Sequence, residues 1–279
     1  MDILNKFKNF ELSQEDRIPK EDKENCERIQ AIYEQTLSVY KKWYDIYHEN
    51  SKLNQEHNYY SLQIEDLSIC ETIRHLHKNF IYRIYNYFSD KYKIDIKQLT
   101  INDFFFKCNH SKSTIDTNPL NYKTYVDKIL KQLKGLSFEN MRIKQLKEKL
   151  KNICKNNYSD KWKIDIKANI IKFNDLLSWN KYTWENDYKL YDQGNLLLLE
   201  SALSFFEYRK EIGFSELKPI KQKYSVQWNN IENNIKITSQ KIKSIKLFKN
   251  GRVDVKFSSS KFAREFIQCW CGYPLSDAE

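Results

Sequence analysis

The stretch SIKLFKNGRVDVKF, Ser244–Phe257, sets an Asn-Gly turn signal between two runs of alternating apolar and polar residues, and its register decides how the C-terminal part of the chain is built. A two-residue turn at Asn250-Gly251 would place Leu247 opposite Asp254 and Ile245 opposite Lys256, mixing apolar and charged groups on one face. A three-residue loop, Lys249-Asn250-Gly251, with Gly251 left-handed as a bulge residue, instead places Leu247 opposite Val253 and Ile245 opposite Val255. The second register gives a clean apolar face and is the one expected. Its outer face carries Phe248 opposite Arg252 and Lys246 opposite Asp254, with Lys256 nearby. These cations can follow a phosphate backbone, or they form an ordinary solvated face in which Lys246 and Asp254 pair across the strands. A lone ribbon is marginal in water. The next residues supply its cover: Ser258 to Ser260 offer caps for a helix with Phe262, Phe266 and Ile267 on one side, ending at Gly272.

Upstream, helical periodicity dominates. With 5 Gly and 4 Pro in 279 residues, long stretches carry no breaker. Ile29, Tyr33, Leu37, Tyr40, Tyr44 and Tyr47 stripe one long helix from Asp22 to His57, and Ile69 through Phe88 stripe a second from about Leu62, expected to pair antiparallel with the first. Further helices are expected over Tyr122–Leu133, with Gly135 as its stop, over Glu139–Cys154, over Asn195–Lys210, stopped by Gly213, and from near Tyr224 through Trp228 and Ile231. SDKYKIDIKQ (Ser89–Gln98) and SDKWKIDIKA (Ser159–Ala168) agree at eight of ten positions, so either a helix-turn-strand unit is duplicated or a Lys/Ile-rich chain repeats by chance. A strand reading sets Asp95 and Asp165 on a polar face. The expected class is mainly α with a small antiparallel β element, an α+β protein: a helical region 1–158 and an α+β region 159–279, packed as one globular unit.

Net charge is +10, which points to an anionic partner, nucleic acid and DNA first. The excess is concentrated. Lys128–Lys155 and Lys221–Phe257 each hold nine basic and two acidic residues, whereas Glu11–Glu27 holds seven acidic and three basic. The competing reading is solvated Lys faces in a chain whose 47 basic residues are mostly Lys.

Chemistry-bearing residues are densest from Trp179 to Asp192, where Trp179, Tyr182, Trp184, Tyr188 and Tyr191 interleave with Lys181, Glu185, Asp187 and Asp192. Aromatic faces stack a splayed base, a Lys holds its phosphate, and a carboxylate stabilises the positive sugar that develops when a glycosidic bond breaks. Base excision would then use Asp187 or Asp192, with Glu185 beside them, as the acid, Trp184 and Tyr188 with Trp179 for stacking, and Lys181 with Lys246, Phe248, Arg252 and Lys256 for the nucleic acid. Alternatively the rings anchor an irregular connection into the core, and Asp192 or Asn195 caps the following helix. A metal-dependent nuclease would use Asp165-Ile-Lys167 with Asp160 and Mg²⁺. No other cofactor is expected, and no metal-ligand set stands out: Cys269-Trp-Cys271 is too tightly spaced, and His75 and His77 point to different helix faces.

No glycine-rich phosphate loop, nucleophile elbow or kinase signature occurs. Neither a secretory signal nor an apolar run of about 18 residues is present, so a cytoplasmic protein without a membrane contact is expected. The third functional class is a non-catalytic helical module that binds another protein.

ENDYKLYDQGNLLLLESALSFFEY followed by SIKLFKNGRVDVKF resembles an uncharacterised family of bacterial genomic islands, prophages and modified-DNA methyltransferase fusions, with a helical front and a closing F-K-N-G hairpin. The resemblance implies DNA metabolism or anti-phage defence, and it supplies no activity. Members often have His where this chain has Asp254, so no ligand role carries over to that position.

Overall fold

The computed structural model describes residues 18–57, 66–97, 118–155, 161–181, 188–190, 193–221 and 226–275. Its contacts divide the chain into two units, Met1–Glu139 and Asn140–Glu279. Helices predominate and the strands form small antiparallel sheets, the class read from the sequence.

In the first unit, α1 (Lys20–His57) and α2 (Asp66–Tyr92) run antiparallel. Near the start of α1, Asp22 is fully buried and accepts hydrogen bonds from Tyr87 Oη at 2.7 Å and Lys91 Nζ at 2.5 Å, as well as from Tyr92. Three turns further on, Tyr33 stacks on Phe80 with ring centroids 4.2 Å apart, and its hydroxyl shares a 2.7 Å hydrogen bond with His77 Nδ1. Cys26, Tyr33 and Leu37 are the buried members of the α1 stripe, which fades toward the helix end, where Tyr40, Tyr44 and Tyr47 are only half-buried. The third helix, α3 (Tyr122–Gln132), is capped by Asn121, whose Oδ1 accepts from the Lys123 amide at 2.9 Å, and it closes through left-handed Lys134 and Gly135.

The two similar decapeptides diverge. Residues 94–97 form no strand. Instead, the Lys97 amide donates to Gln132 Oε1 and its carbonyl accepts from Gln132 Nε2, both at 2.9 Å, so a side-chain amide takes the place a neighbouring strand would fill. The second copy becomes a true strand, β1 (Ile164–Lys167).

In the second unit, Leu146, Leu150 and Cys154 of α4 (Phe138–Cys154) join the main hydrophobic core. That core fills one side of a five-stranded antiparallel sheet in the order β1-β2-β8-β7-β6, with β2 (Ile170–Phe173), β6 (Asn234–Lys236), β7 (Ile242–Leu247) and β8 (Val253–Phe257). The hairpin adopts the register expected from its pattern: Leu247 pairs with Val253 and Ile245 with Val255, all buried. Gly251 is left-handed at φ 84°, and the Phe248 amide donates to the Arg252 carbonyl at 3.0 Å. Two helices pack into this core, α5 (Gly194–Tyr208) through Leu199, Leu203 and Phe206, and α7 (Ser260–Cys271) through Phe266 and Ile267. Ser259 caps α7 by accepting from the Phe262 amide, and left-handed Gly272 ends it.

Two local readings are corrected. At its described residues the helix expected from near Tyr224 is not formed: Val226 and Gln227 form a short strand, β5, and Trp228–Asn230 make a single 3₁₀ turn. Val226 pairs with Leu190 and both side chains are buried, so strand pairing outweighs the weak helix tendency of the Asn-rich run. Asn195 is not a cap either; the N-cap of α5 is Gln193, and Asn195 Nδ2 donates to the Leu176 carbonyl at 3.1 Å. A short helix, α6 (Lys218–Lys221), precedes β5.

Candidate nucleic-acid interface

An antiparallel sheet packed on one face shows its alternate side chains to water on the other. Here the register lines those outward residues into rows across all five strands. One row runs Lys167, Ile170, Lys256, Ser244, Lys236; it contains no acid, and its cations stand on alternate strands. The adjacent row runs Asp165, Lys172, Asp254, Lys246, Asn234. Lys167, Lys236, Lys246 and Lys256 are exposed and Lys172 is half-buried. Strands lie about 4.8 Å apart, so cations on alternate strands are separated by about 10 Å, and an anion lying between two of them is about 5 Å from each, inside the Debye length of about 8 Å at physiological salt. Their fields therefore add over the sheet.

Both carboxylates on this face are engaged. Asp165 accepts from Asn174 Nδ2 at 2.9 Å. Asp254 faces Lys246 in the register, as read from the sequence, but its carboxylate turns to Arg252 along its own strand: Oδ1 and Nε are 3.0 Å apart as an ion pair without the alignment of a hydrogen bond. The reason is Phe248. Arg252 lies over its ring, Cζ 3.9 Å from the centroid, which keeps the guanidinium beside Asp254, while Lys246 Nζ stands 5.2 Å from the same ring. Lys246 thus keeps its charge on the open face.

The second group of expected site residues sits beside the hairpin turn. A three-stranded sheet, β3-β4-β5, is formed by β3 (Trp179–Lys181), β4 (Tyr188–Leu190) and β5 (Val226–Gln227), in which Lys181 pairs with Tyr188. Trp179 packs edge-on against Trp228, ring centroids 5.0 Å apart at 81°, with its Nε1 buried. Lys249, at the tip of the hairpin, holds its ammonium 5.1 Å from the Tyr188 ring and 5.6 Å from Trp228. The hairpin and the aromatic segment, read separately in the sequence, therefore meet through Lys249. Trp184, Glu185, Asp187 and Asp192 lie outside the described residues, as do Tyr182, Tyr191 and Asp160.

Sequence reasoning found Lys246, Phe248, Arg252 and Lys256 because the hairpin's partners are local. It missed Lys172 and Lys236, and it read Lys167 only as a nuclease residue beside Asp165; these three join the face through β1, β2 and β6. Alternation in IDIK marked Asp165 as polar-facing, yet nothing local says that Ile171 pairs with Val255, 84 residues away. Trp228 was missed because it was assigned to a helix.

Among the described residues, no three His, Cys, Asp or Glu side chains converge as a metal-binding group, and no helix is long and apolar enough to cross a membrane. Cys269 is exposed while Cys271 is buried, so the closely spaced pair faces in opposite directions. No family model, curated protein or solved structure matches this chain.

Proposed function

We propose that the chain binds DNA electrostatically, through the solvent face of the five-stranded sheet. The observation that supports this is the acid-free row Lys167, Lys256, Lys236, backed by Lys246 and Lys172, with the face's two carboxylates already held by Asn174 and Arg252. Polyanion affinity of this kind comes from counterion release, about 0.9 of a log–log salt slope per phosphate neutralised. Five lysines give a slope of about −4.5, or a loss of about 500-fold in affinity between about 50 and 200 mM salt.

Fluorescence anisotropy with a labelled 20-base-pair duplex tests it. Replacing Lys167, Lys236 and Lys256 with Gln should flatten the slope by about 2.7. An unchanged slope removes the sheet face as the binding surface, and salt-insensitive capture of a protein in place of DNA favours the interaction-module reading. Base excision by Asp187, Asp192 or Glu185 is the catalytic form of this proposal, with Tyr188 and Lys249 next to the face as stacking and phosphate-holding groups. Alkali-labile breaks in DNA treated with the protein, lost in Asp187→Asn or Asp192→Asn, would support it; direct Mg²⁺-dependent breaks would support the nuclease instead.

A further inference from the structure

The long helix α1 carries a second apolar stripe, which is exposed among the described residues. Ile32, Val39, Trp43 and Ile46 are 50%, 61%, 41% and 54% exposed. At about 100° per residue they fall within an arc of about 60°, on a different face from buried Cys26, Tyr33 and Leu37. Scattered single apolar residues need no explanation, but a continuous row on one helix face does.

The spacing identifies the kind of surface. Ile29, Ile32, Thr36, Val39, Trp43, Ile46 and Asn50 recur at alternating intervals of three and four, which is the a/d pattern of a coiled-coil seam sustained for three heptads. The residues flanking it on its exposed side, Arg28, Gln35, Lys42 and Glu49, occupy the g positions and are all exposed. Their signs are mixed, unlike the basic flank of a helix that lies on an anionic membrane, so the stripe calls for a protein helix.

We infer that this stripe is a homodimer interface in which α1 of one copy packs antiparallel against α1 of a second. Antiparallel pairing stacks Ile29 on Ile46, Ile32 on Trp43 and Thr36 on Val39 of the other copy, and the two-fold axis repeats each layer once. It also brings Arg28 of each copy beside Glu49 of the other, and Gln35 beside Lys42. A parallel pairing would instead stack Trp43 on Trp43 and Asn50 on Asn50 and leave Arg28 and Glu49 at opposite ends of the seam. Charge complementarity therefore selects the antiparallel arrangement. This inference is independent of the DNA-binding proposal, since it uses no residue of the sheet.

Sedimentation equilibrium of the full chain across about 1–100 μM tests it. The wild type should be dimeric, and Val39→Glu with Ile46→Glu should raise the dimer Kd at least about 100-fold, with helical circular dichroism unchanged. Arg28→Glu alone should weaken the dimer, as should Glu49→Arg alone, and the two together should restore it. A wild type that is monomeric over the whole range overturns the inference, as does a dimer indifferent to the Glu substitutions. Charge reversals that have no effect singly overturn the antiparallel assignment.

Discussion

Replacing Gly251 with Ala tests the fold at its most constrained point. Gly251 has φ 84°, a left-handed conformation that costs an L-residue about 1–2 kcal/mol. A Cβ there would also stand 2.2 Å from the backbone carbonyl oxygen of Leu177, and the Leu177 amide donates to the Gly251 carbonyl at 2.9 Å. Because the obstacle is backbone, it cannot rotate aside; the 176–178 connection must retreat and release that hydrogen bond, worth about 1 kcal/mol. The expected loss is about 3 kcal/mol. Gly272→Ala supplies the control within the same unit: it too has positive φ, 65°, but its Cβ would meet only the Lys151 side chain at 3.3 Å, which is flexible. Its loss should be confined to about 1 kcal/mol of backbone cost. Urea unfolding followed by tryptophan fluorescence suits the comparison, since five of the six tryptophans, all but Trp43, belong to the second unit. Equal losses for the two substitutions would refute the argument that the Leu177 backbone closes on the turn.

Two further outcomes concern the first unit, both read by urea unfolding monitored at the helical circular dichroism band. Burial alone would raise the Asp22 carboxyl, but hydrogen bonds from Lys91, Tyr87 and Tyr92 and the Lys91 charge outweigh it and hold the group below the usual carboxylate range. Its contribution is therefore complete above the unfolded value near pH 3.9 and fades as pH falls through that value toward the folded one; Asp22→Asn should cost about 1.5–3 kcal/mol at pH 7, the worth of a hydrogen bond to a charged group, with a shallower loss in acid than the wild type, and equal acid profiles would refute the assignment. The Tyr85 hydroxyl is buried and meets no hydrogen-bond partner among the described residues, and burial pushes its pKa up to about 12. Tyr85→Phe should stabilise the protein by about 1 kcal/mol, because it removes a desolvated polar group while keeping the ring; a loss of stability would mean that the hydroxyl has a partner.

Where hydrophobic spacing was local, it was enough to read the structure. The α1 stripe, the pairing of α1 with α2 and the hairpin register all follow from residues fewer than about ten positions apart or from two long amphipathic faces that have only each other to bury. What was not legible depends on distant partners. IDIK occurs twice, and only the second becomes a strand, because Ile170–Phe173 follows it to pair with it, whereas the first meets the Gln132 side chain. Val226 and Gln227 likewise become strand through Leu190 and Lys189. The basic face has the same limitation: three of its lysines arrive on β1, β2 and β6, which are joined to the hairpin by pairings that sequence spacing does not encode.

The hairpin joins core and surface in one constraint. Since side chains alternate along a strand, the pairing that buries Ile245, Leu247, Val253 and Val255 is also what turns Lys246 and Lys256 outward. The two-residue turn that Asn250-Gly251 would otherwise favour puts Asp254 opposite Leu247, which would bury a carboxylate or expose the apolar face. The left-handed bulge at Gly251 avoids both, and the same residue closes against Leu177. The position of the cations is thus set by the apolar residues behind them, so a substitution in the bulge should disturb anion binding and stability together, whereas Lys256→Gln on the outer face should weaken binding and leave stability nearly unchanged.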